Sequence, residues 1–145
     1  MDSEIIPSAI QLSQVMSEAT APAFVLGAVA GFVSILQGRT TAVVDRVRSL
    51  NDVADDDGNR AHLKQDIPRL RRRARLLTSA MQLALASGIC TALLLFVGFA
   101  SAFLRFQHVY GAGVLFSIAI VLLGGALFRF RQEVMMGLSE ADHYR

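Results

Sequence analysis

Residues 76–104, LLTSAMQLALASGICTALLLFVGFASAFL, form one apolar run between Arg75 and Arg105, with no Asp, Glu, Lys or Arg inside it. About 20 mostly apolar residues are enough to cross the roughly 30 Å hydrocarbon core of a bilayer. A helix buried inside a soluble protein rarely runs this long without a charge. The run therefore predicts a transmembrane helix, with tilt or emergence at one end taking up the excess length.

Two other windows share this character, and neither contains Asp, Glu, Lys or Arg. They are 21–38 (APAFVLGAVAGFVSILQG) and 106–128 (FQHVYGAGVLFSIAIVLLGGALF). Lipid offers no partners for backbone N–H and C=O groups, so all three spans are expected to be helical. The 53% hydrophobic content and the mean hydropathy of +0.46 agree with this assignment.

The positive charges are strongly asymmetric along the chain. Residues 39–75 carry ten of the fourteen Lys and Arg residues, whereas the segment before the first span carries none. Positive residues remain on the cytoplasmic side of a membrane. The chain is therefore expected to have its N-terminus outside, the 39–75 segment inside, the 105–110 turn outside and the C-terminus in the cytoplasm.

The predicted fold is an all-α integral membrane protein in which the first two helices continue into a cytoplasmic antiparallel hairpin. Apolar residues recur at helical spacing in both arms of this hairpin, and the polar stretch NDVADDDGN, residues 51–59, lies between them. Two interpretations of Pro68 remain open: it lies in the first turn of a helix capped by Asp66, or it kinks a helix that begins near Asn59.

The chain divides into successive segments of one membrane domain, residues 1–145. An interfacial amphipathic helix is expected before the first span, because Ile5, Ala9, Leu12 and Met16 recur at helical spacing. The predicted segments are the interfacial helix at 5–19, spans at 21–38, 76–104 and 109–129, the hairpin at 39–75 and a cytoplasmic tail at 130–145.

Five arginines precede the second span: Arg69, Arg71, Arg72, Arg73 and Arg75. They either fix the orientation alone, or contact anionic lipid, or bind a protein partner with an acidic face. Nucleic-acid binding is disfavoured because no aromatic residue for base stacking lies between Gly38 and Phe96.

A structural ion pair is expected in the hairpin, where Asp45 lies beside Arg46 and faces the returning arginines. Its candidate partners are Arg72 and Arg75, and simple solvation of these charges is the alternative. No cofactor and no metal are expected. Asp55, Asp57 and Asn59 match the start of a calcium loop, but the required Gly and the twelfth-position Glu are missing.

Small and hydroxyl residues are the distinctive feature of the uncharged spans. Those at four-residue spacing suit close helix packing, within one chain or between copies: Gly27, Gly31, Ala84, Gly88 and Ala92. The candidate pore-lining residues are Ser34, Gln37, Thr78, Gln82, Ser87 and Thr91. The sequence does not indicate an enzyme, because it offers neither a nucleophile paired with a base nor a pair of carboxylates.

Two stretches resemble a bacterial family of small three-pass membrane proteins known only as a domain of unknown function. They are residues 21–50 and residues 70–87, with Ala21-Pro22, Asp45-Arg46 after Arg39, and the Arg72-Arg73-Ala74-Arg75 run. The resemblance covers roughly residues 15 to 130 and implies a bacterial inner-membrane protein, without implying a reaction, substrate or cofactor.

These observations together predict a non-enzymatic, homo-oligomeric integral membrane protein of the bacterial inner membrane. Its basic hairpin would contact anionic membrane lipids or a protein partner. The alternative is an oligomeric ion channel or pore, because three helices enclose no water-filled path and several copies would be required.

Overall fold

The computed structural model describes residues 9–52, 61–104 and 109–143 of the chain. Three long helices account for almost all of them: α1 (Ala9–Asn51), α2 (Ile67–Leu104) and α3 (Val109–His143). A short 3-10 helix, Ala61–Asp66, precedes α2, and these described ranges contain no strand. The prediction of an all-helical fold is confirmed.

Three helical segments are long and apolar enough to cross a membrane: Ser13–Asn51, Lys64–Ser101 and Gly111–Leu138. The outward faces of these segments carry large apolar side chains, including Phe24 and Phe96, which are 76% and 71% exposed. Water penalises extended exposed apolar surface, whereas the lipid interior does not. The helices have the length and composition of those in a multi-pass membrane protein, in agreement with the prediction.

Two helix boundaries differ from the predicted segments. α1 is continuous from Ala9 through Pro22, so residues 9–19 belong to the same helix as the first span and do not form a separate interfacial helix. Neighbouring backbone and side-chain groups can compensate for the donor that proline lacks in an apolar helix. α3 likewise continues to His143, so the predicted tail at 130–145 is helical as far as that residue.

The start of α2 decides between the two interpretations of Pro68. The helix begins at Ile67, directly after the 3-10 helix ends at Asp66, so Pro68 lies in the first turn. Proline is tolerated there because the first turn leaves its N–H groups without intrahelical partners in any case.

Two predicted connections lie mostly or wholly outside the described residues. They are the polar turn at 51–59, including Asp55, Asp57 and Asn59, and the link at 105–108.

The chain forms two compact units, and all three helices contribute to both. The first comprises Met1–Phe32 and Ala84–Gly124, and the second comprises Val33–Leu83 and Gly125–Arg145. We call them the N-terminal unit and the central unit, because they hold the start and the middle of the chain.

The buried core of the central unit follows a seven-residue repeat. Leu36, Val43 and Leu50 are buried on α1, and Leu70 and Leu77 are buried on α2. Such a repeat keeps one stripe of each helix facing its neighbours. Leu36 lies two turns before Val43 on the same stripe of α1.

The N-terminal unit packs through smaller side chains. Ala84, Ser87 and Thr91 of α2 are fully buried, together with Ala119 of α3. The Ser87 hydroxyl donates a 2.7 Å hydrogen bond to the carbonyl oxygen of Ala119 and so joins α2 to α3. Small interfacial residues and interhelical hydrogen bonds are the usual means of association in lipid, where apolar surface gives no preference for helix over lipid.

Candidate functional site

A fully buried carboxylate, Glu133 of α3, connects all three helices in the central unit. Its Oε1 accepts hydrogen bonds from Arg73 Nη2 at 2.9 Å and Arg73 Nε at 3.1 Å. Its Oε2 lies 3.2 Å from Nη2 of Arg39 on α1. We refer to Arg39, Arg73 and Glu133 as the ion triad.

The helical repeat explains why Glu133 faces inward. Ala126 of α3, seven residues earlier, is also fully buried, so Glu133 occupies the next core position on the same stripe. Arg73 lies between Leu70 and Leu77 at the three- and four-residue steps of the buried stripe of α2. The two charged residues therefore take core positions on facing helices.

A glycine leaves room for the Arg73 guanidinium. A Cβ atom added at Gly137, one turn beyond Glu133, would lie 3.0 Å from Arg73 Nη2. That distance is shorter than a comfortable van der Waals contact, so a side chain at this position would press on the group that binds Glu133. Gly137 thus permits the close approach of α2 and α3 beside the triad.

Arg39 is held by two different contacts. Its Cζ lies 5.2 Å from the ring centroid of Phe130, which is within the range of a cation–π interaction. Its Nη2 is also 3.5 Å from Glu133 Oε1, at the limit of a hydrogen bond. The Arg39 side chain is 38% exposed, against 17% for Arg73, so the triad opens to its surroundings at Arg39.

The two oxygens of Glu133 are in unequal environments. Oε1 accepts short hydrogen bonds, whereas no described residue donates a hydrogen bond to Oε2. Arg39 Nη2 is close enough to Oε2 for an ion pair, but its N–H groups are not aligned for a hydrogen bond. Two guanidinium groups against one carboxylate leave the triad with a formal charge of +1.

Residues 19–142 match a sequence family described as a protein of unknown function, DUF2721. The chain belongs to the DUF2721 family. The matched segment includes the whole ion triad, and it confirms the resemblance found in the sequence. No curated protein matches the chain, and no solved structure does.

The arginine run of this DUF2721 protein is divided between interior and surface. Arg73 points into the triad, while the four others are exposed. We call these four the exposed arginine face: Arg69, Arg71, Arg72 and Arg75. The run was predicted as one group, but a step of about 100° per residue sends its members in different directions.

The ion pair that the structure shows at Asp45 differs from the predicted one. Asp45 Oδ1 lies 3.6 Å from Arg48 Nη1, one turn along α1, and both side chains are largely exposed. The described residues show no ion pair between Asp45 and Arg72 or Arg75, which are exposed on α2, and Arg46 is exposed as well. A carboxylate on the outer side of α1 contacts a basic side chain one turn away on the same helix more readily than a basic side chain on another helix.

The predicted packing residues divide into inward and outward positions. Ala84 and Gly88 are buried, and a Cβ atom at Gly88 would lie 3.2 Å from Val29 Cγ1 of α1. Gly27 and Gly31 are exposed, with nothing within 4 Å of an added Cβ atom, and Ala92 is exposed too. Within one chain, α1 therefore packs on α2 through Val29 and not through its GxxxG face.

The candidate pore-lining residues do not share one surface. Ser87 and Thr91 are fully buried, and the Thr91 hydroxyl bonds the carbonyl oxygen of Ser87. Thr78 is exposed and bonds the carbonyl oxygen of Ala74. The remaining three are exposed: Ser34, Gln37 and Gln82.

Sequence reasoning missed the ion triad because it assigned charges to the two sides of the membrane and not to helix faces. Glu133 fell in the predicted tail after the third span, and Arg39 served only for the orientation and for the family resemblance. Two signals were present: the seven-residue step from Ala126 to Glu133, and the position of Arg73 between Leu70 and Leu77.

Proposed function

We propose that this DUF2721 protein is a non-enzymatic integral protein of the bacterial inner membrane that binds anionic lipid headgroups through its exposed arginine face. The N-terminus lies outside and the C-terminus in the cytoplasm. The observation that carries the proposal is that four arginines are exposed at the start of α2, directly before the charge-free apolar run 76–104.

The position of these arginines favours lipid over the other two interpretations. Orientation requires positive charge only somewhere in the cytoplasmic segment. Here the exposed guanidinium groups stand on a helix that continues into the apolar span, which brings them to the headgroup level. Each Lys or Arg near an anionic surface contributes about 1 kcal/mol, so four can hold a shell of anionic lipid.

The contacts of the buried polar groups support a non-enzymatic role. The carboxylate of Glu133 is paired with two guanidinium groups. The buried hydroxyls of Ser87 and Thr91 donate to backbone carbonyls.

The lipid proposal is tested by the lipids that leave the membrane with the protein. We would extract it in polymer-bounded native discs and measure the anionic lipid fraction relative to the bulk membrane. Changing Arg69, Arg71, Arg72 and Arg75 to Gln should abolish the enrichment, whereas changing all four to Lys should keep it. An enrichment that survives in the Gln variant, with its orientation verified, would refute the proposal.

Self-association is the second part of the proposal, and the free space at Gly27 and Gly31 supports it. Small residues on an outward face let the helix of a second copy approach closely. Changing both glycines to Leu should convert the homo-oligomer in lipid discs to a monomer, as measured by particle mass. Ala28→Leu, on a neighbouring exposed position of α1, is the matched control and should leave the mass unchanged.

An oligomeric ion channel is the alternative function, favoured by the exposed amides of Gln37 and Gln82 on apolar helices. Several copies would have to place these amides around one axis. Single-channel recordings of purified protein in planar bilayers test it directly. Conductance that disappears with Gln37→Leu and Gln82→Leu would support a pore, and currents no greater than those of empty bilayers would refute it.

A further inference from the structure

Arg39 has hydrogen-bonding capacity that the ion triad does not use. A guanidinium group carries five N–H donors. Among the described residues, the only side-chain acceptor for Arg39 is Glu133, and it is reached through Nη2 alone. The Nε and Nη1 groups therefore donate to no side chain that the structure describes, and 38% of the Arg39 side chain is exposed.

The position of Arg39 in the sequence indicates the depth in the membrane at which these N–H donors lie. It is the first charged residue after the uncharged segment 21–38. A charged side chain that directly follows an apolar span lies at the membrane interface, where lipid phosphate groups are found. In the orientation proposed above, this interface belongs to the cytoplasmic leaflet.

The charge balance of the triad favours an anion at Arg39. Arg73 makes the two shortest contacts with Glu133, at 2.9 and 3.1 Å, and so compensates the carboxylate. The positive charge left over is that of Arg39, the more exposed of the two arginines. The carboxylate is fully buried, so it offers no site for the ammonium group of a zwitterionic lipid.

We propose that Arg39 binds the phosphodiester of one anionic phospholipid of the cytoplasmic leaflet. Contacts with Phe130 and Glu133 hold the guanidinium group in place before the lipid arrives, which lowers the entropy cost of binding. The N–H groups that Glu133 does not use can then donate charge-assisted hydrogen bonds to the phosphate oxygens.

This inference rests on the membrane orientation proposed above but concerns a different set of residues. The exposed arginine face attracts many lipids by charge, so its effect is screened by salt. The Arg39 site holds a single lipid through directed hydrogen bonds. The lipid at Arg39 should therefore remain bound at salt concentrations that remove the shell of lipid around the exposed arginine face, because its contacts are partly buried.

Native mass spectrometry of the full-length protein separates the two sites. The protein would be delipidated in detergent at high salt and titrated with a short-chain phosphatidylglycerol. The wild type should bind one lipid per chain, and Arg39→Lys should weaken binding about tenfold, because the fixed planar set of N–H donors is lost while the charge remains. Arg46→Lys, at an exposed position of α1 outside both the ion triad and the exposed arginine face, is the matched control and should bind like the wild type.

A second variant and a competitor complete the test. Phe130→Leu removes the aromatic surface beneath Arg39 but keeps all three charges, and it too should weaken binding of the single lipid. Phosphatidylcholine and inorganic phosphate should neither bind at this site nor displace the phosphatidylglycerol.

Wild-type affinity in both Arg39→Lys and Phe130→Leu would overturn the inference, as would displacement by inorganic phosphate at equal concentration. Neither outcome would alter the enrichment measured for the exposed arginine face. If Arg39→Lys does not fold, as judged by its melting transition, the comparison of Phe130→Leu with Arg46→Lys decides the question.

Discussion

Arg73 Nη2 and Glu133 Oε1 are 2.9 Å apart, and Arg73 Nε donates to the same oxygen at 3.1 Å. One arginine thus directs two N–H groups at one oxygen of a fully buried carboxylate. Removing charges from water is costly, and the cost is recovered only when partners with good geometry are present. The contact therefore links α2 to α3 and also makes each residue depend on the other.

Arg73→Gln should destabilise the protein by about 3–5 kcal/mol, because it leaves Glu133 buried with only the longer contact to Arg39. Reversible unfolding in mixed micelles, followed by helix content, measures the change. Arg72→Gln, at the neighbouring exposed position, is the control and should change stability by less than about 0.5 kcal/mol. Equal effects of the two substitutions would show that Arg73 is not part of a buried ion pair.

Gly137→Ala should destabilise the protein by about 1 kcal/mol, although alanine favours a helix more than glycine does by about the same amount. The added Cβ atom would lie 3.0 Å from Arg73 Nη2 and would displace it from Glu133. Gly124→Ala is the control, since its Cβ atom meets nothing within 4 Å, and it should be neutral or stabilising. A gain in stability at both positions would mean that Arg73 moves aside without cost.

Ser87→Ala should cost about 0.6–1 kcal/mol, because it removes the 2.7 Å hydrogen bond to the carbonyl oxygen of Ala119 between two buried residues. Ser117→Ala removes a hydroxyl that bonds within its own helix, to Gly113, at an exposed site, and should have almost no effect. The same unfolding assay compares the two. A larger loss at Ser117 would contradict the packing of α2 on α3 described here.

The three helices could be predicted from the sequence because their cause is local. A long apolar run without charge has to be helical in lipid, whatever surrounds it. The faces of the helices were harder to predict, since the surface towards lipid is as apolar as the surface towards a neighbouring helix. Phe96 and Leu94 have similar hydropathy, yet the first is 71% exposed and the second only 8%.

The same difficulty explains the assignments that differ from the structure. Gly27 and Gly31 match a motif of close helix packing, but within the chain that role belongs to Val29 against Gly88. The buried repeat of α1, Val29 and Leu36, fixes which face turns inward and leaves the two glycines outside. The spacing of a motif shows which residues share one face of a helix. The seven-residue repeat of buried residues then indicates whether that face points into the protein.

Both lipid-binding proposals depend on the proposed orientation of the chain, and thiol labelling in intact spheroplasts tests that orientation most directly. In a Cys90→Ala background, single cysteines would be placed at Ser17 and Gln65, both exposed and on opposite sides of the first span. A membrane-impermeant reagent should label the cysteine at position 17 in intact spheroplasts, and the one at position 65 only after permeabilisation. Labelling at position 65 in intact spheroplasts would contradict the account, because the arginines and the ion triad would then lie on the outer side.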